Sequence, residues 1–142
     1  MSTSPANTAL QAVSDSLAAK LTTRVVGRSF MPVVADCPAD ELRAGKLCVV
    51  ADEGAGFATH RGREADLGVL DFVVIGYVLV DEDLPPAAVE QAELALLQDV
   101  LDWVADPGAV RPRNGVYPQA VKFSRQLEAP YGWVAMHMQT QP

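Results

Sequence analysis

The sequence predicts an α+β domain: an antiparallel β-sheet with two main helices packed on one face and a long exposed loop between strands. Two stretches repeat apolar residues at helical spacing, Leu10, Val13, Leu17 and Leu21 in the first and Val89, Leu96, Leu97, Val100, Leu101 and Val104 in the second, so each set lies on one stripe of a helix. Runs rich in β-branched and aromatic residues, the composition of strands, fall between and after them. The order helix, strands, helix, strands suits a sheet that offers one face to both helices.

The elements follow in order. Ser4 before Pro5 is a helix-start signal, opening a helix over about residues 5–21 from which Gln11, Ser14, Asp15 and Lys20 fall off the apolar stripe. From Thr22 to Val34 the β-branched content, interrupted by Gly27 and Pro32, predicts a strand with an irregular end. Cys37 to Ala44 reads as a turn or a single helical turn, and Gly45 marks the joint to a strand at Leu47–Val50. Asp52 to Asp66, with three glycines and Arg61 and Arg63 around Gly62, predicts the long exposed loop. Loops of this length in compact domains are often functional, which makes it the leading contact segment.

Leu67 to Val80 carries a single charge, Asp71, and alternates weakly, so both its faces must be covered. Phe72, Val74, Val78 and Val80 share one face; Val73, Ile75, Tyr77 and Leu79 share the other, and a neighbouring subunit is one way to close one of them. Asp81 to Pro86 ends the strand and starts the second helix with carboxylates at the positive end of its dipole. Glu90, Glu93, Gln98, Asp99 and Asp102 are expected to project away from its stripe, and Asp106-Pro107-Gly108 ends it. Residues 107–118 read as a Pro- and Gly-rich linker. Two strands, 120–127 and 133–140, then flank a turn at Glu128–Gly132.

A chain of 142 residues fits one domain, 1–142. With 49% apolar and 20% charged residues it can offset its ordering entropy, which excludes global disorder. No stretch approaches the roughly 18 uncharged apolar residues of a membrane span, and the N-terminus lacks a signal-peptide pattern. A soluble, unexported protein without a membrane partner is expected. The net charge of −7 excludes a protein that wraps nucleic acid. From Glu64 to Val110 there are eleven acids and no Lys or Arg, which reads either as a solvated helix face or as a surface that meets a basic partner or keeps DNA from adhering. Cys37 and Cys48 form no C-x-x-C pair and are expected to be reduced, partly buried small residues.

Nothing in the sequence predicts catalysis, a metal site or a cofactor. His60 and His137 stand far apart without ligand spacing, and Gly54-Ala55-Gly56 lacks the rest of a phosphate loop. His60, Arg61 and Arg63 read as a solvated basic cluster or an anion site. Trp103 and Trp133 are expected in the core, with Tyr131 or Trp133 alternatively at a subunit contact, where aromatic residues are enriched.

Several strings in order carry a family likeness: Arg28-Ser29-Phe30-Met31-Pro32-Val33, then Asp40-Glu41-Leu42, then Leu47-Cys48-Val49-Val50 before a loop with Thr59-His60-Arg61. The long strand through Tyr77-Val78, the acidic helix through Val104 and the return Tyr117-Pro118 to Pro130-Tyr131-Gly132-Trp133 complete it. The chain thereby resembles the tail terminator, or tail completion, proteins of tailed bacteriophages over most of its length. It departs from the expected Val-Val-Pro-Arg at Val49-Val50-Ala51-Asp52. The resemblance implies a non-enzymatic virion protein, assembled in the host cytoplasm into a hexameric ring that caps the head-proximal end of the tail tube. Its partners would be copies of itself, the tail tube protein and the head-tail connector or stopper, with DNA passing through the lumen without sequence-specific binding. Subunit or tube contacts would then involve Arg28, Phe57, His60, Arg61, Arg63, Tyr131 and Trp133, the arginines meeting acids of the next subunit. The alternatives are a head-side connector or stopper and a small non-viral ligand-binding α/β domain.

Overall fold

The first apolar stripe forms as expected: Leu10, Val13, Leu17 and Leu21 are all buried along helix α1 (Pro5–Lys20) and its exit. The computed structural model describes residues 5–29, 36–51, 71–108 and 116–140. After α1 come strand β1 (Val25–Gly27), helix α2 (Ala39–Ala44), β2 (Lys46–Ala51), β3 (Asp71–Leu79), helix α3 (Ala87–Ala105), β4 (Val116–Phe123) and β5 (Tyr131–Thr140). The strands form one sheet in the order β1-β2-β3-β5-β4.

Helices α1 and α3 cover the same face, as the sequence predicts. Their stripes close on Leu47, Val49, Phe72, Val74, Val78, Val134, Met136 and Met138 of the sheet. Trp103, fully buried, donates its indole N–H to Ser16 Oγ at 2.8 Å and so ties the two helices together. On the opposite face, Leu42 of α2 packs with Cys37, Cys48 and Tyr77, and Val50, Ile75, Leu79, Tyr131 and Trp133 border that cluster. The two-face division predicted for the long strand is the division seen in β3.

The pairs β2–β3, β3–β5 and β5–β4 are antiparallel, as expected. The edge strand β1 instead runs parallel to β2, so the sheet is mixed. Parallel neighbours need a crossover connection, and α2 lies on that crossover, where the sequence suggested a turn or a single helical turn. β1 itself spans only three residues of the stretch predicted as strand. Residues 30–35 and the predicted loop at 52–66 lie outside the described residues.

The linker expected to run through residue 118 already belongs to β4, which begins at Val116. Pro118 is tolerated because β4 is an edge strand and the register with β5 slips between Pro118 and Ala120. Asp71, the lone charge of the long strand, is buried, and its Oδ1 accepts from Gln139 Nε2 at 2.8 Å on the neighbouring strand.

Gly76 sits where β3 passes beneath α3, and a Cβ there would overlap Cδ2 of Leu96, itself fully buried. Gly76→Ala is therefore expected to destabilise the protein by about 1–3 kcal/mol through overpacking. In a Leu96→Ala background the same change is expected to cost far less, because the clash is gone. Urea unfolding of the four variants in that cycle checks this.

Candidate functional site

Folding redistributes the charge that the sequence segregates. Arg24, just before β1, donates from Nε and Nη2 to Asp99 Oδ2, both at 2.9 Å, and from Nη1 to Ala44 O at 2.9 Å. It thereby joins the start of β1, the end of α2 and the flank of α3. Lys20 reaches Asp106 at 3.0 Å, and Arg43 reaches Asp81 at 2.7 Å. Three acids of the stretch without Lys or Arg thus pair with cations from the first third of the chain, while Glu82, Asp83, Glu90 and Asp102 are exposed and make no ion pair among the described residues. Lys46 pairs with Glu41 at 2.9 Å on the α2 side. Among the described residues, Arg28, Lys122 and Arg125 make no ion pair; Arg28 bonds to neutral acceptors, whereas the side chains of Lys122 and Arg125 are exposed and without a partner.

These two cations occupy the open edge of the sheet. Lys122 lies on β4, and Arg125 begins the turn into β5. The same edge exposes large apolar groups: Tyr117 is 57% exposed, Val121 36% and Leu127 75%. A groove of about 440 Å³ is lined by Lys122, Phe123, Ser124, Arg125, Leu127 and Trp133. Arg125 and Gln126 both hold left-handed backbone, at φ 59° and 64°, which costs about 1–2 kcal/mol each for non-glycine residues. The strained turn carries Leu127 out into solvent beside the groove.

Beneath this turn lies Glu93 of α3, expected to project outward and in fact fully buried. Its Oε2 accepts the Ser124 hydroxyl and, at 2.9 Å, the Trp133 backbone N–H. Gly132 leaves the space for it, since a Cβ there would meet Glu93 Oε2 and Val89 Cγ1. Oε1 is buried without a hydrogen-bond partner. Burial pushes the Glu93 carboxyl above its ordinary range, offset in part by the Ser124 and Trp133 hydrogen bonds and reinforced by nearby Glu90. The carboxyl pins the mouth of the β4–β5 hairpin to α3 and so fixes where the groove stands.

The second face of the sheet, where Tyr77 stands across from Trp133, holds inert chemistry. Cys37 and Cys48 are free and buried, as expected of reduced small residues. Burial pushes the Cys48 thiol up and the Tyr77 phenol up to about 12, which leaves both groups neutral and unreactive. Among the described residues, no group of three or more His, Cys, Asp or Glu side chains could hold a metal ion. His137 stands half-buried on β5 between Val73 and Ala120.

Of the residues singled out in the sequence, Tyr131 and Trp133 come together, two apart on the second face of β5 and both half-buried. Arg28 lies at the far edge of the sheet. Its Nε donates to Val49 O at 2.9 Å, and Nη1 approaches Asn7 Oδ1 at 3.3 Å, with no acid partner among the described residues. Phe57, His60, Arg61 and Arg63 lie outside the described residues. The surface residues Tyr117, Val121, Lys122, Arg125 and Leu127 were not singled out from the sequence. Alternation at Val121–Lys122 marks a strand but not that the strand is an edge. Comparison of the sequence with known protein families and with curated proteins finds no match.

The raised carboxyl makes a signed prediction. The folded state holds the Glu93 proton more tightly than the unfolded chain, so the stability this provides is complete below the ordinary glutamate value of 4.5 and is lost as pH rises through the native value. Glu93→Gln mimics the protonated form, and its stability relative to the unsubstituted protein is expected to increase from pH 4 toward pH 7. Urea midpoints of the two proteins across that range check the sign.

Proposed function

We propose that this chain is a structural virion subunit, a tail terminator that forms a ring on the head-proximal end of a phage tail tube and joins it to the head connector. The observation that carries this reading is the β4 edge. It is an eight-residue strand with one side unpaired among the described residues, exposed apolar side chains and two cations without partners. Pro118, the register irregularity after it and Lys122 limit strand pairing along this edge, so what it offers a neighbour is its exposed apolar and cationic side chains. A ring subunit needs such a surface, because each contact in a closed ring joins two different surfaces. The likeness of the sequence to terminator proteins supplies the tail and the connector as partners.

Light scattering on the purified protein from dilute to concentrated solution, with negative-stain images, tests the ring. A closed ring of about six subunits is expected, and adding it to growing tail tubes is expected to stop their elongation. A compact monomer at every concentration that also leaves tube growth unchanged contradicts the reading.

A further inference from the structure

We infer that Glu93 is a proton-operated latch on the β4–β5 hairpin: while its carboxyl holds a proton the mouth of the hairpin is clasped to α3, and loss of that proton frees the mouth to part from the helix. The ladder between the two strands ends in a way that calls for this side chain. After the pair Phe123–Val134, the next rung joins Ser124 and Trp133, and half of it is present, since Ser124 N–H donates to Trp133 O at 3.0 Å. The other half is not made by the strands. Ser124 O takes the Leu127 N–H at 3.4 Å, and the Trp133 N–H donates to Glu93 Oε2 at 2.9 Å. The Ser124 hydroxyl donates to the same oxygen. A side chain of α3 thus closes the ladder in place of a strand carbonyl.

No described group compensates a charge at this place. A carboxylate offers about four acceptor sites, yet Glu93 is fully buried and its Oε1 has no hydrogen-bond partner. The space at Gly132 that admits it is walled by Val89 of α3 and Val78 of β3. Glu90, one turn earlier on α3, adds a charge of the same sign. On the hairpin, Lys122, Arg125 and Glu128 are exposed, and the hairpin bonds to the carboxyl only through Ser124 and Trp133 among the described residues. Tyr131 and His137 of β5 and Tyr77 of β3 stand on the second face of the sheet, away from α3, and Asp71 at the far end of β3 bonds Gln139. Burial outweighs the two hydrogen bonds and holds the carboxyl above its ordinary range.

Once the proton leaves, the buried charge is relieved by reaching water, and the hairpin is the element that can yield. α3 is held by Val89, Leu96, Val100 and Trp103, all fully buried, and β3 is paired on both edges. The turn after Ser124 has no such hold. Arg125 and Gln126 sit in left-handed backbone, Leu127 is exposed, and the turn's remaining hydrogen bond to α3 among the described residues is the long one from Gln126 Nε2 to Glu90 Oε2, 3.5 Å. Its far end stays anchored, because Val80 N–H donates to Pro130 O at 3.0 Å. Ser124 and Trp133, the two groups that the carboxyl holds, are also walls of the groove. The groove therefore keeps its shape while the latch is closed and changes it when the proton is released.

Amide hydrogen exchange on the unassembled full chain from about pH 4 to about pH 8 tests the latch, with protection taken relative to an unfolded chain at each pH. Protection of the Trp133 N–H is expected to fall by about tenfold per pH unit between the ordinary glutamate value of 4.5 and the native value and then to level off, the course set by one proton released on opening. Amides of β3 are expected to keep theirs, because the opening is local. In Glu93→Gln, whose amide oxygen accepts the same two bonds without a charge, the Trp133 profile is expected to be flat. The Glu93 carboxyl carbon, followed by NMR in the unsubstituted protein, is expected to titrate where the decline levels off. A flat Trp133 profile in the unsubstituted chain overturns the latch, and so does a decline that persists in Glu93→Gln, which keeps Glu90 and His137. A decline shared by the β3 amides overturns it as well, since the whole fold is then opening. The unsubstituted profile decides by itself if Glu93→Gln does not fold. The latch goes beyond the ring reading and holds for a single copy, so its failure leaves the ring to be decided by light scattering.

Discussion

β3 is buried on both faces and paired along both edges, and that double enclosure fixes where every other element can go. Its even-numbered residues require a cover that α1 and α3 provide together, locked by the Trp103 to Ser16 hydrogen bond. Its odd-numbered residues require another, which α2 and the Cys37 segment begin around Tyr77 and Cys48. With β2 and β5 taking its two edges, β1 and β4 are left as the rims of the sheet. One rim is a three-residue strand flanked by arginines that bond inward; the other is an eight-residue strand that exposes Tyr117 and Val121 and is interrupted by Pro118 and the register irregularity after it. The asymmetry of the molecule follows from which strand occupies the centre.

The helices contribute more than cover. α3 carries an acidic flank that would repel itself and a partner, yet the fold brings Arg24 and Lys20 against it and sets Arg43 on the preceding Asp81. Exposed pairs of this kind contribute little to stability, at most about 1 kcal/mol each. Their larger effect is on the surface that remains, because a cation bound inside one chain is not available to another. Glu93 plays a different part. It is taken out of water to hold the hairpin mouth through Ser124 and Trp133, a tie that positions the turn and its groove at the expense of a buried, partly unsatisfied carboxyl.

Much of this was legible in the residues. The stripe through Leu10, Val13, Leu17 and Leu21 located α1, and the face division of β3 could be read from its two-residue alternation. Asp81 to Pro86 announced α3 to within a residue. The errors have physical causes. β1 joins in parallel because of a crossover, a long-range relation with no local signature. Pro118 looked like a linker residue because a proline rule that holds for central strands does not bind an edge strand at a bulge. Glu93 was read by its charge, although Val89, Glu93, Leu96, Val100 and Trp103 share one heptad-like stripe and all five are buried; spacing was the better guide. The candidate site was the least legible part, since an edge is defined by which strand is missing beside it.

Amide hydrogen exchange on β4 tests the central claim, that this edge is an open assembly surface, most directly. Ser124 N–H bonds Trp133 O, and antiparallel pairing alternates every second residue, so the N–H groups of Val121 and Phe123 point away from β5. In the unassembled chain these two amides are predicted to exchange far faster than those of β3 and then to become protected on assembly. Slow exchange at Val121 and Phe123 already in the unassembled chain, or no gain of protection in the ring, would contradict the account.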